Sequence, residues 1–403
     1  MPWFCGLRRI ARGHRGLFVV AIFLGSSLAV NVALMVRYKI PRRLWEPPIE
    51  ELVLPHIELS RGASRDQSPP LLAAPSSVRS VQELRDWQAR GRQKLQELLK
   101  IELPTQLVPV REVGRELMGT VVRRTLVFTQ HDGLEVPAFL LHATEDRPRP
   151  GILVIPGHSM GIVATSGIVQ DYQNAMALRL AEAGYVVLTM EVRGFGYLQK
   201  LGDGPNAMDH GPYTGYCLVR GRTRLGLTIS DALAGLNYLE AQDEVDADRL
   251  GVVGFSSGCD ATIYLAAMDQ RVNAVVASGC VCSHESNFQF SRNDSYEAVP
   301  GLAQWLEMSD CLGLLSPRPV LVHWGADDND PKSRSAAFNP TSLRMFEAAK
   351  KIYAAENQSD QIEQSVTPGL GHAFDVEAAV TFVKHRLPVS VAGSFVADQS
   401  RSP

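Results

Sequence analysis

The 403-residue chain is expected to adopt an α/β fold, a mostly parallel sheet with helices on both faces, preceded by an N-terminal transmembrane helix. Three observations predict this. From residue 120 onward, short apolar runs alternate with helix-length segments, as successive βαβ units require. One run, Leu250–Val253, leads into Gly254-Phe255-Ser256-Ser257-Gly258 and then a helical stretch, Cys259–Met268. Near the N-terminus, Leu17–Val36 is about as long as one bilayer span, with only Ser26, Ser27 and Asn31 as clear polar interruptions.

The N-terminal segments come first. Residues 1–16 are basic, with Arg8, Arg9, Arg12 and Arg15 ahead of the apolar run. Arg37, Lys39, Arg42 and Arg43 follow it, so flanking charge barely orients the span. A cleavable signal peptide has a shorter apolar core and a small-residue cleavage site. No such site follows, so residues 17–36 are read as an uncleaved signal anchor, N-terminus inside and body exported; secretion after cleavage is the alternative. Residues 37–80 hold Pro41, Pro47, Pro48, Pro55, Pro69, Pro70 and Pro75 and read as an extended, mobile tether. The folded body spans 81–390, and 391–403 form a tail.

Within the body, Val81–Ile101 is periodic at three and four, with Gly91 as a weak point, and should pack across the folded body, an interaction helix being the alternative. Thr120–Phe128 and Glu135–Leu141 flank His131-Asp132-Gly133 as a hairpin. Strands are expected at Ile152–Ile155, Tyr185–Val192, Leu250–Phe255, Val272–Ala277, Pro319–Trp324 and Ile362–Val366. Helices are expected at Asp171–Ala183, Thr223–Ala241, Thr341–Ala355 and Val376–Leu387.

Composition narrows the function. A net charge of −3, without a basic patch in the body, offers no field for nucleic acid. Six cysteines in so long a chain do not form a disulfide scaffold. Cys280 and Cys282 should point apart at a strand end, and each cysteine, Cys259 included, is read as a small core residue. No Cys/His spacing matches a zinc site, and neither metal nor cofactor is implied.

Gly254-Phe255-Ser256-Ser257-Gly258 fits G-x-S-x-G between a strand and a helix, the context in which a serine is lifted clear of a sheet. A serine hydroxyl needs a base, and the base an orienting acid. In this architecture the order is serine, acid, histidine. Among ten histidines, His158, His210, His284 and His323 come too early and His385 lies within a helix. His372, in the loop between the last strand and the last helix, is the expected base. The acid should follow Pro319–Trp324, where Asp327, Asp328 and Asp330 compete. A glycine at the strand end with the acid three residues on selects Asp328. Two N–H donors are needed for an oxyanion. They are expected from Ser257 and, after Pro156-Gly157, from His158.

With these loops in place the chain resembles the α/β-hydrolase superfamily, in its acetyl-xylan-esterase-like and dienelactone-hydrolase-like branch, over roughly Val81 to Leu387. Asp171-Tyr172-Gln173, Arg193-Gly194-Phe195-Gly196, the approach Val245–Gly254, Val299-Pro300-Gly301-Leu302 and Ser316–Val322 carry the resemblance beyond the catalytic loops. Dienelactone hydrolases place a cysteine where Ser256 stands. The resemblance implies a serine hydrolase of carboxylic esters, with a small-molecule or acetylated carbohydrate ester as substrate. The connections Gly194–Arg222, with Phe195, Tyr197, Tyr213 and Tyr216, and Ser283–Asp310 are expected to shape the pocket or to pack. A serine peptidase and an inactive binding protein of the same fold are the rivals. Peptidases of this fold usually carry a large β domain, which the tether cannot supply.

Overall fold

The computed structural model describes residues 69–75, 80–101, 107–144, 147–200, 210–290, 297–329 and 337–389. The expected anchor, 17–36, and Asp330 lie outside them. Among the described residues no helix is long and apolar enough to cross a membrane.

Among the described residues nine strands form one sheet: β1 (Val110–Met118), β2 (Val121–Thr129), β3 (Glu135–Ala143), β4 (Arg149–Ile155), β5 (Val186–Met190), β6 (Val245–Phe255), β7 (Val272–Ser278), β8 (Val320–Gly325) and β9 (Ile362–Thr367). Their order across the sheet is β1-β2-β3-β5-β4-β6-β7-β8-β9. β1, β2 and β3 are antiparallel, β3 also runs antiparallel to β5, and every pairing from β5 to β9 is parallel.

The parallel strands are apolar on both sides because helices cover both faces. Alternate residues divide between two cores. Leu153, Val252, Val275 and Val322 face a layer containing Trp87, Ile229, Ile263 and Phe346. Ile152, Val154, Val253 and Val276 face Met176, Leu180 and Phe382 on the other side. The helix Val81–Leu99 begins at Ser80, whose hydroxyl caps Glu83 N–H at 3.1 Å, and buries Leu84, Trp87, Leu95 and Leu99. Gly91 is a packing contact in this helix: a Cβ there would stand 2.6 Å from Leu314 Cδ2.

Four readings are corrected. β1 was not expected, because its Arg/Glu-rich sequence shows no apolar alternation; it is an exposed edge held by its ladder to β2. The helix expected from Asp171 begins only at Met176, since Asn174 (φ 50°) and Ala175 (φ 52°) turn left-handed. The end of the expected tether is not loose: Leu71 and Leu72 N–H donate to Gln304 and Trp305 carbonyls, and Trp87 Nε1 donates to Leu72 O at 2.8 Å. Cys259 and Cys280 are not separate core residues but are joined by a disulfide, whereas Cys217, Cys282 and Cys311 are free and buried.

Candidate active site

The serine is positioned by backbone geometry. Ser256 sits between β6 and the helix Ser257–Met268 with φ 55° and ψ −125°, a conformation a non-glycine residue adopts only under constraint. Its N–H donates to Ser278 O at 2.8 Å, at the end of β7. Both flanking glycines are required by close approach. A Cβ on Gly258 would stand 2.1 Å from Ile155 O, and one on Gly254 2.2 Å from Gly258 O. The turn therefore forms only where the helix start can press against β4, and it leaves the serine half-buried at the surface of the sheet.

His372 meets this serine, and Asp328 meets His372. His372 Nε2 lies 2.9 Å from Ser256 Oγ, and His372 Nδ1 lies 2.6 Å from Asp328 Oδ2. The imidazole rests on the Phe255 ring, with centroids 4.8 Å apart, and near Tyr172 at 5.6 Å. Asp328 is 3 % exposed, whereas Asp327 is exposed and turned to solvent. The turn beyond β8 separates the two: Asp328 N–H donates to Gly325 O, and Asp327 N–H donates to Leu370 O in the histidine loop. Of these neighbours only Asp328 reaches the ring.

The loop after β4 lies against the serine. A Cβ on Gly157 would be 3.0 Å from Ser256 Cβ and 2.8 Å from Phe255 O, so only glycine lets this loop approach so closely. The loop is braced by residues that spacing did not single out. Gly157 N–H donates to Gln173 Oε1 at 2.7 Å, and Gln173 Nε2 donates to Ser159 Oγ at 2.6 Å. Ser159 Oγ donates to Asp171 Oδ2 at 2.5 Å, and Asp171 Oδ1 accepts Gln173 N–H at 2.7 Å. The left-handed turn at Asn174 and Ala175 directs Gln173, which is fully buried, back under the loop. Asp171-Tyr172-Gln173 was visible as a stretch that carries the family resemblance, but the atoms it binds were not. His158 follows Gly157, and its ring stacks on Phe195 at 4.6 Å. Ser257, the first residue of its helix, is buried.

Charge beneath the site is paired or neutralised. Arg193 reaches Asp231 through two bonds, at 2.6 and 2.8 Å, and Asp132 of the hairpin turn through two more, at 2.5 and 3.2 Å. This fork-like pairing ties the hairpin to the end of β5. Glu191 is enclosed by Gly161 and Gly196, where any Cβ would overlap its carboxyl. It accepts the N–H groups of Tyr197 at 3.2 Å and Val192 at 3.3 Å, and burial pushes its pKa up to about 7. Burial pushes the Tyr172 phenol up to about 12. Phe195 is core, while Tyr197 and Tyr216 are exposed. Among the described residues no three His, Cys, Asp or Glu side chains gather as a metal site.

Comparison with known proteins places the chain in a family. Part of the chain is 28% identical over 152 residues to the provisionally named hydrolase YtaP of Bacillus subtilis (strain 168), covering 37% of this chain and about half (48%) of YtaP. A provisionally assigned acetyl xylan esterase of Bacteroides fragilis NCTC 9343 has a similar fold, with TM-score 0.63 and 18% identity over 81% of this chain and 88% of that one. The glucuronoyl esterase of Solibacter usitatus matches with TM-score 0.56 and 15% identity over 79% and 97% of the two chains. A model described as the Abhydrolase family matches residues 67–385, so this α/β-hydrolase belongs to the Abhydrolase family.

Proposed function

We propose that the chain is a serine esterase acting on carboxylic esters of carbohydrates or similar small alcohols. One observation carries the reading: the His372 ring stands between Ser256 Oγ and Asp328, within hydrogen-bond distance of both. As Ser256 Oγ bonds to the acyl carbon, His372 Nε2 takes its proton, and Asp328 stabilises the resulting imidazolium. Negative charge on the carbonyl oxygen is met by the N–H groups of Ser257 and His158. Collapse breaks the bond to the alcohol, which leaves with the proton from Nε2. Water then attacks the acyl carbon, His372 takes a proton from it, and release of the acid returns that proton to Ser256.

The carbohydrate substrate class is suggested by the names of proteins with a similar fold, the acetyl xylan and glucuronoyl esterases. The test is turnover of acetylated xylan, a methyl glucuronate ester and p-nitrophenyl acetate, with fluorophosphonate labelling, by the full chain and by Ser256→Ala. We expect ester turnover and labelling in the first and neither in the second, with kcat lower by about 10⁴-fold or more. Turnover near the wild-type rate in Ser256→Ala would refute the mechanism.

The same proposal places residues 17–36 in a membrane with the hydrolase body outside the cytoplasm. The buried Cys259–Cys280 disulfide supports this, since such bonds persist in oxidising compartments. The full chain is expected to sediment with membranes and to resist salt extraction. Recovery in the soluble fraction with residues 1–36 still attached would rule the anchor out.

A further inference from the structure

A buried polar chain crosses the ends of β7, β8 and β9 beneath the loops that carry Ser256, Asp328 and His372, and the esterase mechanism makes no use of it. Ser278 Oγ lies 2.7 Å from His323 Nδ1, and His323 Nε2 lies 3.1 Å from Thr367 Oγ1. Thr367 Oγ1 donates to Asp375 Oδ2 at 2.6 Å, and Asp375 Oδ1 caps the last helix through Ala378 N–H at 2.9 Å. Ser278 is fully buried and His323 is 2 % exposed. The ladder sets Ser278 beside His323, and Gly279 N–H donates to His323 O at 2.9 Å.

The proton positions follow from donor counting. The single Thr367 hydroxyl proton is committed to the carboxylate, so Thr367 Oγ1 accepts from His323 Nε2–H. His323 is then the neutral tautomer with Nδ1 bare, and Ser278 Oγ–H donates to it. Burial, which lowers the proton affinity of His323, favours this neutral form. Every hydrogen bond in the chain therefore runs in one direction, from Ser278 to Asp375.

Each end meets a catalytic loop. The Ser278 carbonyl accepts the Ser256 N–H that sustains the strained turn. Thr367 and Asp375 bracket the loop that suspends His372, and His323 lies five residues before Asp328 on the strand that leads to it. We infer that His323 is a positioning residue: through Ser278 and Thr367 it sets the distance between Ser256 and His372, so breaking the chain at either end should slow turnover in the same way. The inference rests on the proposed roles of Ser256 and His372.

The test is a double-mutant cycle in the full chain on two residues that do not touch, Ser278→Ala and Thr367→Val, with Thr367→Ser and Ser256→Ala alongside. Ser278→Ala keeps the carbonyl that holds Ser256. Thermal melts establish that each variant is folded, and p-nitrophenyl acetate hydrolysis gives kcat and KM separately. Expected are a kcat loss of about fivefold in each single variant with KM unchanged, no further loss in the double variant, and recovery in Thr367→Ser. Multiplicative losses, an unchanged kcat in both single variants, or an equal loss in Thr367→Ser would overturn the relay while Ser256→Ala still reported the nucleophile. Activity retained in Ser256→Ala would remove the mechanism, and the inference with it. Should Thr367→Val fail to fold, His323→Asn replaces it, with the same kcat loss and the same lack of additivity with Ser278→Ala expected.

Discussion

At the antiparallel end of the sheet, Glu112 on β1 meets Arg115 and Arg124, each at 2.8 Å, with its own side chain 31 % exposed. At the carboxyl ends of β6 to β9, Asp328 meets His372 at 2.6 Å with its side chain 2 % exposed. The bond lengths are alike and the consequences are not. In water, Glu112 competes with solvent for its arginines, and either arginine can be lost to the other. At the strand ends the Asp328 carboxylate is shielded from solvent and its partner His372 is only 19 % exposed, so a removed partner leaves a buried group unsatisfied. Charge on β1 and β2 keeps an exposed edge strand soluble, whereas polarity at the strand ends fixes one arrangement of side chains.

The contrast is broken most severely at Asp328. Asp328→Asn should lower kcat by about 10³- to 10⁴-fold, because the amide can favour the wrong tautomer of His372 and carries no charge to stabilise the imidazolium. Asp327→Asn, one residue away and exposed, should stay within about twofold, as a surface change does. Steady-state kinetics on both variants checks this, and a larger loss at Asp327 would mean that burial does not mark the acid.

A middle case is Glu191, buried near the site in a shell of backbone N–H groups, with no ion-pair partner among the described residues. Burial raises its pKa from 4.5 to about 7, so the folded chain holds this proton more tightly than the unfolded chain. Its contribution to stability is fully present below the unfolded value and is lost as pH rises through about 7, by up to about 3 kcal/mol. The wild-type Tm should therefore fall between about pH 4.5 and 7, and Glu191→Gln should flatten that slope. A slope that persists in the variant would assign the titration to another group.

The smallest effect belongs to the edge strand β1. Arg115 and Arg124 hold the Glu112 pKa down to about 2, yet the site is open to solvent. Glu112→Gln should change stability by about 0.2–1 kcal/mol and leave kcat unaltered, read from melts at low and moderate salt. A larger loss would mean that the edge strand is coupled to the body more tightly than its exposure implies.

The amino-acid sequence by itself determined every strand of the sheet but β1, and the Gly254–Gly258 turn between a strand and a helix. Buried parallel strands must be apolar on both faces, and a turn as tight as Gly254–Gly258 needs small residues at both ends, so composition and order alone mark them. Asp328 was distinguished from its neighbours by its spacing from Gly325, a local feature that survives in a one-dimensional reading. β1 escaped because an exposed edge strand has no apolar period to betray it. Gln173, Ser159 and Asp171, the relay through His323, and the Cys259–Cys280 bond are decisions of tertiary structure. Their partners lie 12 to 45 residues apart and come together only when the strands align. A hydrogen bond or a disulfide depends on the angle and distance between two groups, and those exist only once the fold has brought distant segments side by side.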